Sequence, residues 1–79
     1  MMVTVKLPKL GELAERAVLL EWCCAPGDVV EVGQVLAELE TDKATSELPA
    51  PVAGKVVELL AAIDDELTVG DPLVRIEAA

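Results

Sequence analysis

The sequence repeats its own pattern at an offset of 37 residues, which is close to half of its 79 residues. Pairs that recur at this offset include Asp28 and Asp65, Val32 and Val69, Gly33 and Gly70, Leu36 and Leu73, and Glu40 and Glu77. A repeat of this kind indicates that the chain consists of two halves of the same design. We therefore expect two sheets related by a pseudo-two-fold axis, whose inner faces bury one core.

Polar and apolar residues alternate along most of the chain, which is the pattern of half-buried β-strands. Five prolines and five glycines interrupt the segments, so helices are a poor alternative. The predicted strands cover residues 2–7, 17–24, 29–32, 35–40, 45–48, 54–60, 67–69 and 72–76. We predict an all-β domain over residues 1–77, followed by the start of a linker at 78–79.

The composition excludes several classes of function. Six basic residues against fifteen acidic ones give a net charge of −9, which argues against nucleic acids and anionic membranes as partners. The chain has no histidine, and Ser46 is its single serine, so Ser-His-Asp and Cys-His catalytic systems are excluded, as are histidine metal sites. We therefore expect neither an enzyme acting by itself nor a metal site.

Two features bear on the compartment of the protein. Residues 1–9 alternate instead of forming the apolar segment of a signal peptide, and no apolar run approaches the roughly 18 residues that span a bilayer. Cys23 and Cys24 are neighbours in the chain, where a disulfide would be strained, so we expect both to be reduced. Together these features predict a cytoplasmic protein.

Strand alternation also predicts the environment of the cysteines and of one turn. It places Cys24 on one face with Trp22 and Leu20, and Cys23 on the other face, so one thiol is expected to be buried and the other more exposed. The repeat sets Asp64 opposite Gly27, at a turn position where aspartate tolerates the left-handed conformation better than most residues.

Lys43 lies between two alternating segments, so Asp42 and Lys43 are predicted to be the central residues of a tight type I hairpin turn. Such a turn is exposed, and paired strands hold its base in place. The lysine is then either an ordinary solvated residue or a group presented to the active site of another protein. The repeat places the turn after Glu40 and the chain end after Glu77 at opposite ends of the body.

Residues 40–44, with the sequence Glu-Thr-Asp-Lys-Ala, resemble the modification motif of lipoyl domains of 2-oxo acid dehydrogenase acyltransferases. Three further segments resemble the same family, namely residues 7–12, 26–34 and 48–56. The resemblance covers almost the whole chain. It implies a flattened barrel or sandwich of two four-stranded antiparallel sheets with pseudo-two-fold symmetry.

The resemblance implies that Lys43 carries lipoate in amide linkage, flanked by Asp42 and Ala44. The domain would then carry acyl groups and electrons between a thiamine-diphosphate 2-oxo acid decarboxylase, an acyltransferase catalytic domain and dihydrolipoyl dehydrogenase. A lipoate-attaching enzyme would load it, and the isolated domain would be a monomer. The motif resembles pyruvate and branched-chain complexes more than 2-oxoglutarate ones. Partner recognition would involve the loop residues Leu10, Gly11, Glu12 and Leu13, together with Glu40.

Two alternatives remain at this point. A biotin carrier of a carboxylase has the same fold, but its lysine is normally flanked by methionines, and Met1 and Met2 are far from Lys43. An unmodified β-barrel that only binds a partner would retain its function after the substitution Lys43→Gln.

Overall fold

The computed structural model describes residues 1–9, 16–41 and 44–79, and within these ranges the chain forms eight strands. They are β1 (Met2–Lys6), β2 (Arg16–Trp22), β3 (Val29–Val30), β4 (Val35–Glu40), β5 (Thr45–Pro49), β6 (Gly54–Leu59), β7 (Glu66–Thr68) and β8 (Pro72–Ala78). The short strands follow the alternating segments of the sequence and end at the proline- and glycine-containing turns.

The strands form two four-stranded sheets, with the orders β1-β8-β6-β3 and β5-β4-β2-β7. All neighbouring strands are antiparallel. The 37-residue offset carries β2, β3 and β4 onto β6, β7 and β8, and each strand takes the same position in its sheet as its counterpart. The predicted all-β fold of two pseudo-symmetric antiparallel sheets is confirmed.

One apolar core lies between the sheets. Among the residues that the structure describes, no polar or charged side chain is buried. The largest fully buried side chains come from both halves and are Leu19, Val30, Leu36, Leu39, Leu48, Val56, Leu73, Val74 and Ile76. The repeated Leu36 and Leu73 are therefore core residues, which explains why both halves place leucine there.

The repeated aspartates close equivalent turns. Asp28 accepts a hydrogen bond on Oδ2 from the backbone N–H of Ala25, and Asp65 accepts the same bond from Ala62, each at 2.9 Å. Gly27 and Asp64 precede these aspartates with positive φ angles of 97° and 74°. The left-handed conformation predicted for Asp64 is confirmed, so the repeat extends to backbone geometry.

A β-bulge at Leu20 interrupts the alternation of β2. Alternation predicts that Leu20 shares a face with Cys24, but Cys24 is buried and Leu20 is only half-buried, whereas its neighbour Leu19 is fully buried. The extra residue changes which positions face the core. Beyond the bulge, the prediction for the cysteines is confirmed, since Cys24 is buried and Cys23 is exposed, and both thiols are free.

The two chain ends lie beside each other, on the neighbouring strands β1 and β8 of the first sheet. The N–H of Ala78 donates to the carbonyl of Met1 at 2.8 Å, and the N–H of Ala79 donates to the carbonyl of Ala53 at 2.9 Å. Ala78 is thus the last residue of β8, while the predicted boundary between domain and linker at residue 77 stays a prediction. In the part of the chain described above, no helix is long and apolar enough to cross a membrane.

Candidate functional site

The base of the β4–β5 hairpin is closed by hydrogen bonds on Thr41. Its N–H donates to the carbonyl of Ala44 at 2.8 Å, and its hydroxyl Oγ1 donates to the same oxygen at 3.0 Å. Just below this closure, Glu40 pairs with Thr45 in the ladder. The chain therefore reverses its direction between Thr41 and Ala44, with only two residues between them.

Those two residues, Asp42 and Lys43, lie outside the described residues, so the predicted type I turn stays a prediction. Their flanks are accessible, because Glu40, Ala44 and Thr45 are all exposed. A group linked covalently to the lysine needs no binding pocket in this chain. It needs a hairpin that is exposed and whose strands are held in place. The closed base with its exposed flanks fits that requirement.

The hairpin is anchored in the core through β4 and β5. Leu36 and Leu39 of β4 are fully buried, and Leu48 of β5 is 1% exposed. β4 is also paired on both sides, with β2 and with β5. Packing and pairing together restrict the motion of the strands that lead into the turn.

The outer face of this sheet carries a row of carboxylates. Glu21, Glu38 and Glu47 are cross-strand partners on β2, β4 and β5, so their side chains are neighbours on one face. The two-fold equivalent row on the other sheet consists of Glu58, Arg75 and Thr4. There Arg75 lies 3.5 Å from Glu58. The sheet that leads into the hairpin is therefore more acidic at this row than its counterpart.

Neither cysteine is an activated nucleophile. Desolvation and the charges of Glu38, Glu21 and Glu47 raise the pKa of the Cys23 thiol. Burial is also the main cause of the raised pKa of Cys24, whose Sγ lies 3.7 Å from the carbonyl oxygen of Leu36. Reactive cysteines have a lowered pKa, so these thiols have the opposite character. Within the described ranges, no three side chains of metal-ligand type come together.

The predicted recognition loop can be located only through its flanks. Leu10, Gly11, Glu12 and Leu13 lie outside the described residues. Arg16, at the start of β2, follows the loop, and Val18 two residues later pairs with Glu40. Glu40, the remaining predicted recognition residue, is exposed at the end of β4. The structure therefore brings the exit of the loop beside the base of the hairpin.

Sequence reasoning missed the two hydrogen bonds of Thr41. The signal was present, since threonine before a turn is suited to side-chain bonding of the local backbone. The resemblance to lipoyl domains singles out Asp42 and Ala44 as the residues that flank the lysine. The structure shows that Thr41 and Ala44 close the base of the hairpin.

Comparison with known proteins identifies the family. A family profile named for biotin and lipoyl, and described as "biotin-requiring enzyme", matches residues 3–76. The chain is 46% identical over 72 residues to the dihydrolipoyllysine-residue acetyltransferase component of the pyruvate dehydrogenase complex of Corynebacterium glutamicum. It is 42% identical over 73 residues to the lipoamide acyltransferase component of the branched-chain alpha-keto acid dehydrogenase complex of Pseudomonas putida. These alignments cover 91% and 92% of this chain but only 11% and 17% of the relatives.

Solved structures show the same fold. The lipoyl domain of the 2-oxoglutarate dehydrogenase complex of Azotobacter vinelandii matches with a TM-score of 0.76 and 24% identity, covering 98% of this chain and 99% of that one. A single-chain, multi-domain long-chain acyl-CoA carboxylase matches with a TM-score of 0.82 and 22% identity, covering 99% of this chain and 7% of that one. At these identities the likeness concerns the fold. Because the family profile spans nearly the whole chain, the protein belongs to the biotin/lipoyl attachment family.

Proposed function

We propose that this chain is a lipoyl carrier domain and that Lys43 is its attachment residue, flanked by Asp42 and Ala44. The observation that carries the proposal is the closed base of the β4–β5 hairpin, where Thr41 and Ala44 are hydrogen-bonded with only Asp42 and Lys43 between them in the chain. The sequence of residues 40–44 and the acyltransferase relatives favour lipoate as the group. The domain acts as a carrier and does not catalyse a reaction by itself.

When bound, lipoate would supply a dithiolane that accepts an acyl group together with electrons. The chain's own residues provide the frame. Thr41 and Ala44 close the hairpin, and the buried Leu39 and Leu48 fix the two strands beneath it. Amide formation on Lys43 removes one positive charge and takes the formal net charge from −9 to −10. Attachment to a rigid frame raises the effective concentration of the group at each partner site.

We propose a 2-oxo acid dehydrogenase complex as the setting. The partners would be a thiamine-diphosphate 2-oxo acid decarboxylase, an acyltransferase catalytic domain, dihydrolipoyl dehydrogenase and a lipoate-attaching enzyme. The names of the two acyltransferase relatives support a pyruvate or a branched-chain complex. The exposed Glu40 and the loop residues 10–13 are the proposed recognition elements, because the exit of the loop lies beside the hairpin base.

A biotin carrier of a carboxylase is the second candidate. It is supported by the carboxylase of the same fold, but that likeness has 22% identity and concerns fold alone. No methionine flanks Lys43 in this sequence. Expression with a biotin-attaching enzyme, followed by streptavidin blotting, distinguishes the two carriers, and we expect no signal.

Reductive acylation tests the proposed function. The lipoylated domain is incubated with purified pyruvate, branched-chain or 2-oxoglutarate decarboxylase and the corresponding 2-oxo acid, and acyl transfer is followed by intact mass. We expect an acyl mass gain with the pyruvate or the branched-chain enzyme. No gain should occur with the Lys43→Arg variant, whereas Lys55→Arg, on the other sheet, should behave like the wild type. Absence of acylation with all three enzymes would contradict the proposal.

A further inference from the structure

A turn at the end of β7 lies on the same side of the domain as the attachment hairpin. β4 and β7 run in the same direction, because each is antiparallel to β2. Val18 of β2 pairs with Glu40 of β4 and with Glu66 of β7, so these three residues form one row across the sheet. Thr68, the last residue of β7, lies two residues beyond this row in the direction of the hairpin. The turn that follows β7 is therefore at the hairpin end of the sheet.

Hydrogen bonds hold this turn, residues 68–71, in place. The N–H of Asp71 donates to the carbonyl of Thr68 at 3.0 Å, and the N–H of Thr68 donates to Oδ2 of Asp71 at 2.9 Å. The N–H of Gly70, whose φ is 94°, donates to the carbonyl of Leu7 at 3.0 Å. The bond across the turn and the positive φ of its third residue are typical of a type II turn. Leu7 is a core residue, so the turn is fixed to the body of the domain.

Val69 is the side chain that this turn presents to solvent. It occupies the second position of the turn and is 46% exposed. Turn positions more commonly carry glycine, proline, asparagine, aspartate or serine. An apolar side chain on a fixed backbone loses little conformational freedom when a partner binds, which favours the contact. Val69 is therefore a preorganised apolar contact point near the hairpin.

The surface that a partner needs on this domain extends from the hairpin to the turn. β7 is two strands away from β4, which corresponds to about 10 Å. An extended lysine side chain reaches only about 6 Å from its Cα, so an enzyme that acts on the lysine amine has to approach the hairpin closely. A standard protein interface buries about 800 Å² on each partner, which is a patch of roughly 16 Å radius. A patch of this size centred on the hairpin includes the turn.

We propose that Val69 is a contact residue for the lipoate-attaching enzyme. This inference rests on the proposed carrier function. The attaching enzyme is the partner that receives the unmodified amine, whereas the other partners meet the far end of a lipoyl arm, on the order of 14 Å from the backbone. The surface that the attaching enzyme offers to Val69 is expected to be apolar, because apolar surfaces on both sides leave water when they dock.

The two-fold repeat supplies a matched control residue. Val32 is the equivalent of Val69 at the 37-residue offset, and it is 69% exposed. It occupies the second position of the equivalent turn, residues 31–34, which is closed by the same type of backbone bond at 3.1 Å. The two valines therefore share their local structure, and they differ in where the fold places them.

The two turns lie at opposite ends of the domain. The turn of Val32 follows Val30, which lies in one row with Ala78 at the chain end. β1 begins beside Ala78 and is followed by Leu7, which is bonded to the turn of Val69. The length of β1 therefore separates the two turns, so a partner that docks on the hairpin end leaves Val32 free.

Attachment kinetics on the purified domain test the inference. Val69→Ser removes both methyl groups, and we expect the KM of the attaching enzyme for the domain to rise at least about threefold with kcat changed by less than about 1.5-fold. Val69→Thr keeps the branched shape and replaces one methyl by a hydroxyl, so its KM should rise less. Val32→Ser and Val32→Thr should stay within about 1.5-fold of the wild type. Urea unfolding shows whether each variant is folded, and Val69→Thr decides if Val69→Ser is not.

The results that would overturn the inference differ from those that would overturn the carrier function. A KM for both Val69 variants within about 1.5-fold of the wild type, or an equal rise for Val32→Ser, would refute the contact and leave the carrier function standing. Slower reductive acylation of pre-lipoylated Val69→Ser with unchanged attachment would assign the contact to the decarboxylase and refute the attaching enzyme as the partner. A wild type that accepts no lipoate would overturn the carrier function itself.

Discussion

At the scale of single residues, the carboxylates on the outer face of a sheet affect the pKa of Cys23. Its side chain is exposed beside the row formed by Glu21, Glu38 and Glu47, and desolvation and these carboxylates raise its pKa. The thiol form therefore predominates at neutral pH, because the raised pKa disfavours the thiolate. This exposed thiol is expected to react slowly.

The variant Glu38→Gln should make Cys23 more reactive. Removing the carboxylate that contributes most among the three lowers the pKa of Cys23 and increases its thiolate fraction at pH 8. We expect about a twofold faster alkylation at low salt, as for one solvent-exposed charge, and a smaller difference at about 1 M salt. The rate is measured by mass spectrometry of the peptide that contains Cys23. Glu77→Gln, on the other sheet, should leave the rate unchanged, and an equal rate for Glu38→Gln would contradict the electrostatic explanation.

At the scale of elements, the strands were predictable and their bulges were not. The alternating segments placed all eight strands, with ends that differ from the observed ones by at most two residues. Alternation could not show that Leu19, and not Leu20, is the fully buried residue, because a bulge adds one residue without any change in composition. The second half has a register shift at the equivalent place, between Val56 and Glu58. The register shift in one half therefore has a counterpart in the other half. The alternation of polar and apolar residues predicts neither of the two shifts.

Inserting one glycine after Lys43 tests the importance of the hairpin geometry. The two-residue connection between Thr41 and Ala44 would become three residues long, so the lysine would be held less firmly. We expect the attachment rate of lipoate to fall at least about tenfold, because the acceptor amine loses its orientation. The free energy of unfolding, measured in urea, should change by less than about 1 kcal/mol, since lengthening a loop has a small entropic cost. Unchanged attachment would show that the frame does not position the lysine.

At the scale of the whole molecule, the two-fold relation connects the chain ends with the hairpin. The bond from Ala78 to Met1 in one half is the counterpart of the bond from Thr41 to Ala44 in the other, and both measure 2.8 Å. The 37-residue offset of the sequence predicted the two-fold relation between β2–β4 and β6–β8. β1 and β5 are also equivalent in their sheets, but they are 43 residues apart because the connection from β1 to β2 is longer. That longer connection includes the loop residues 10–13, so the repeat contains no information about its shape.

Fusion of a folded protein after Ala79 should not impair loading of the domain. The chain ends lie on β1 and β8 of one sheet, whereas the strands of the hairpin, β4 and β5, belong to the other sheet. We expect the fused domain to accept lipoate within about twofold of the free rate, since the fusion does not cover the hairpin. A matched fusion at the N-terminus should give the same result because Met1 and Ala78 are hydrogen-bonded neighbours. Loss of loading in either fusion would contradict the separation of the two ends.

The intact mass of the purified domain after incubation with lipoate, ATP and a lipoate-attaching enzyme tests most directly whether Lys43 is the carrier residue. The wild type should gain the mass of one lipoyl group, and so should variants in which Lys6, Lys9 or Lys55 is replaced by arginine. Lys43→Arg should gain nothing while unfolding at the same urea concentration as the wild type. A lipoyl mass that persists in Lys43→Arg, or a wild type that remains unmodified, would contradict the account.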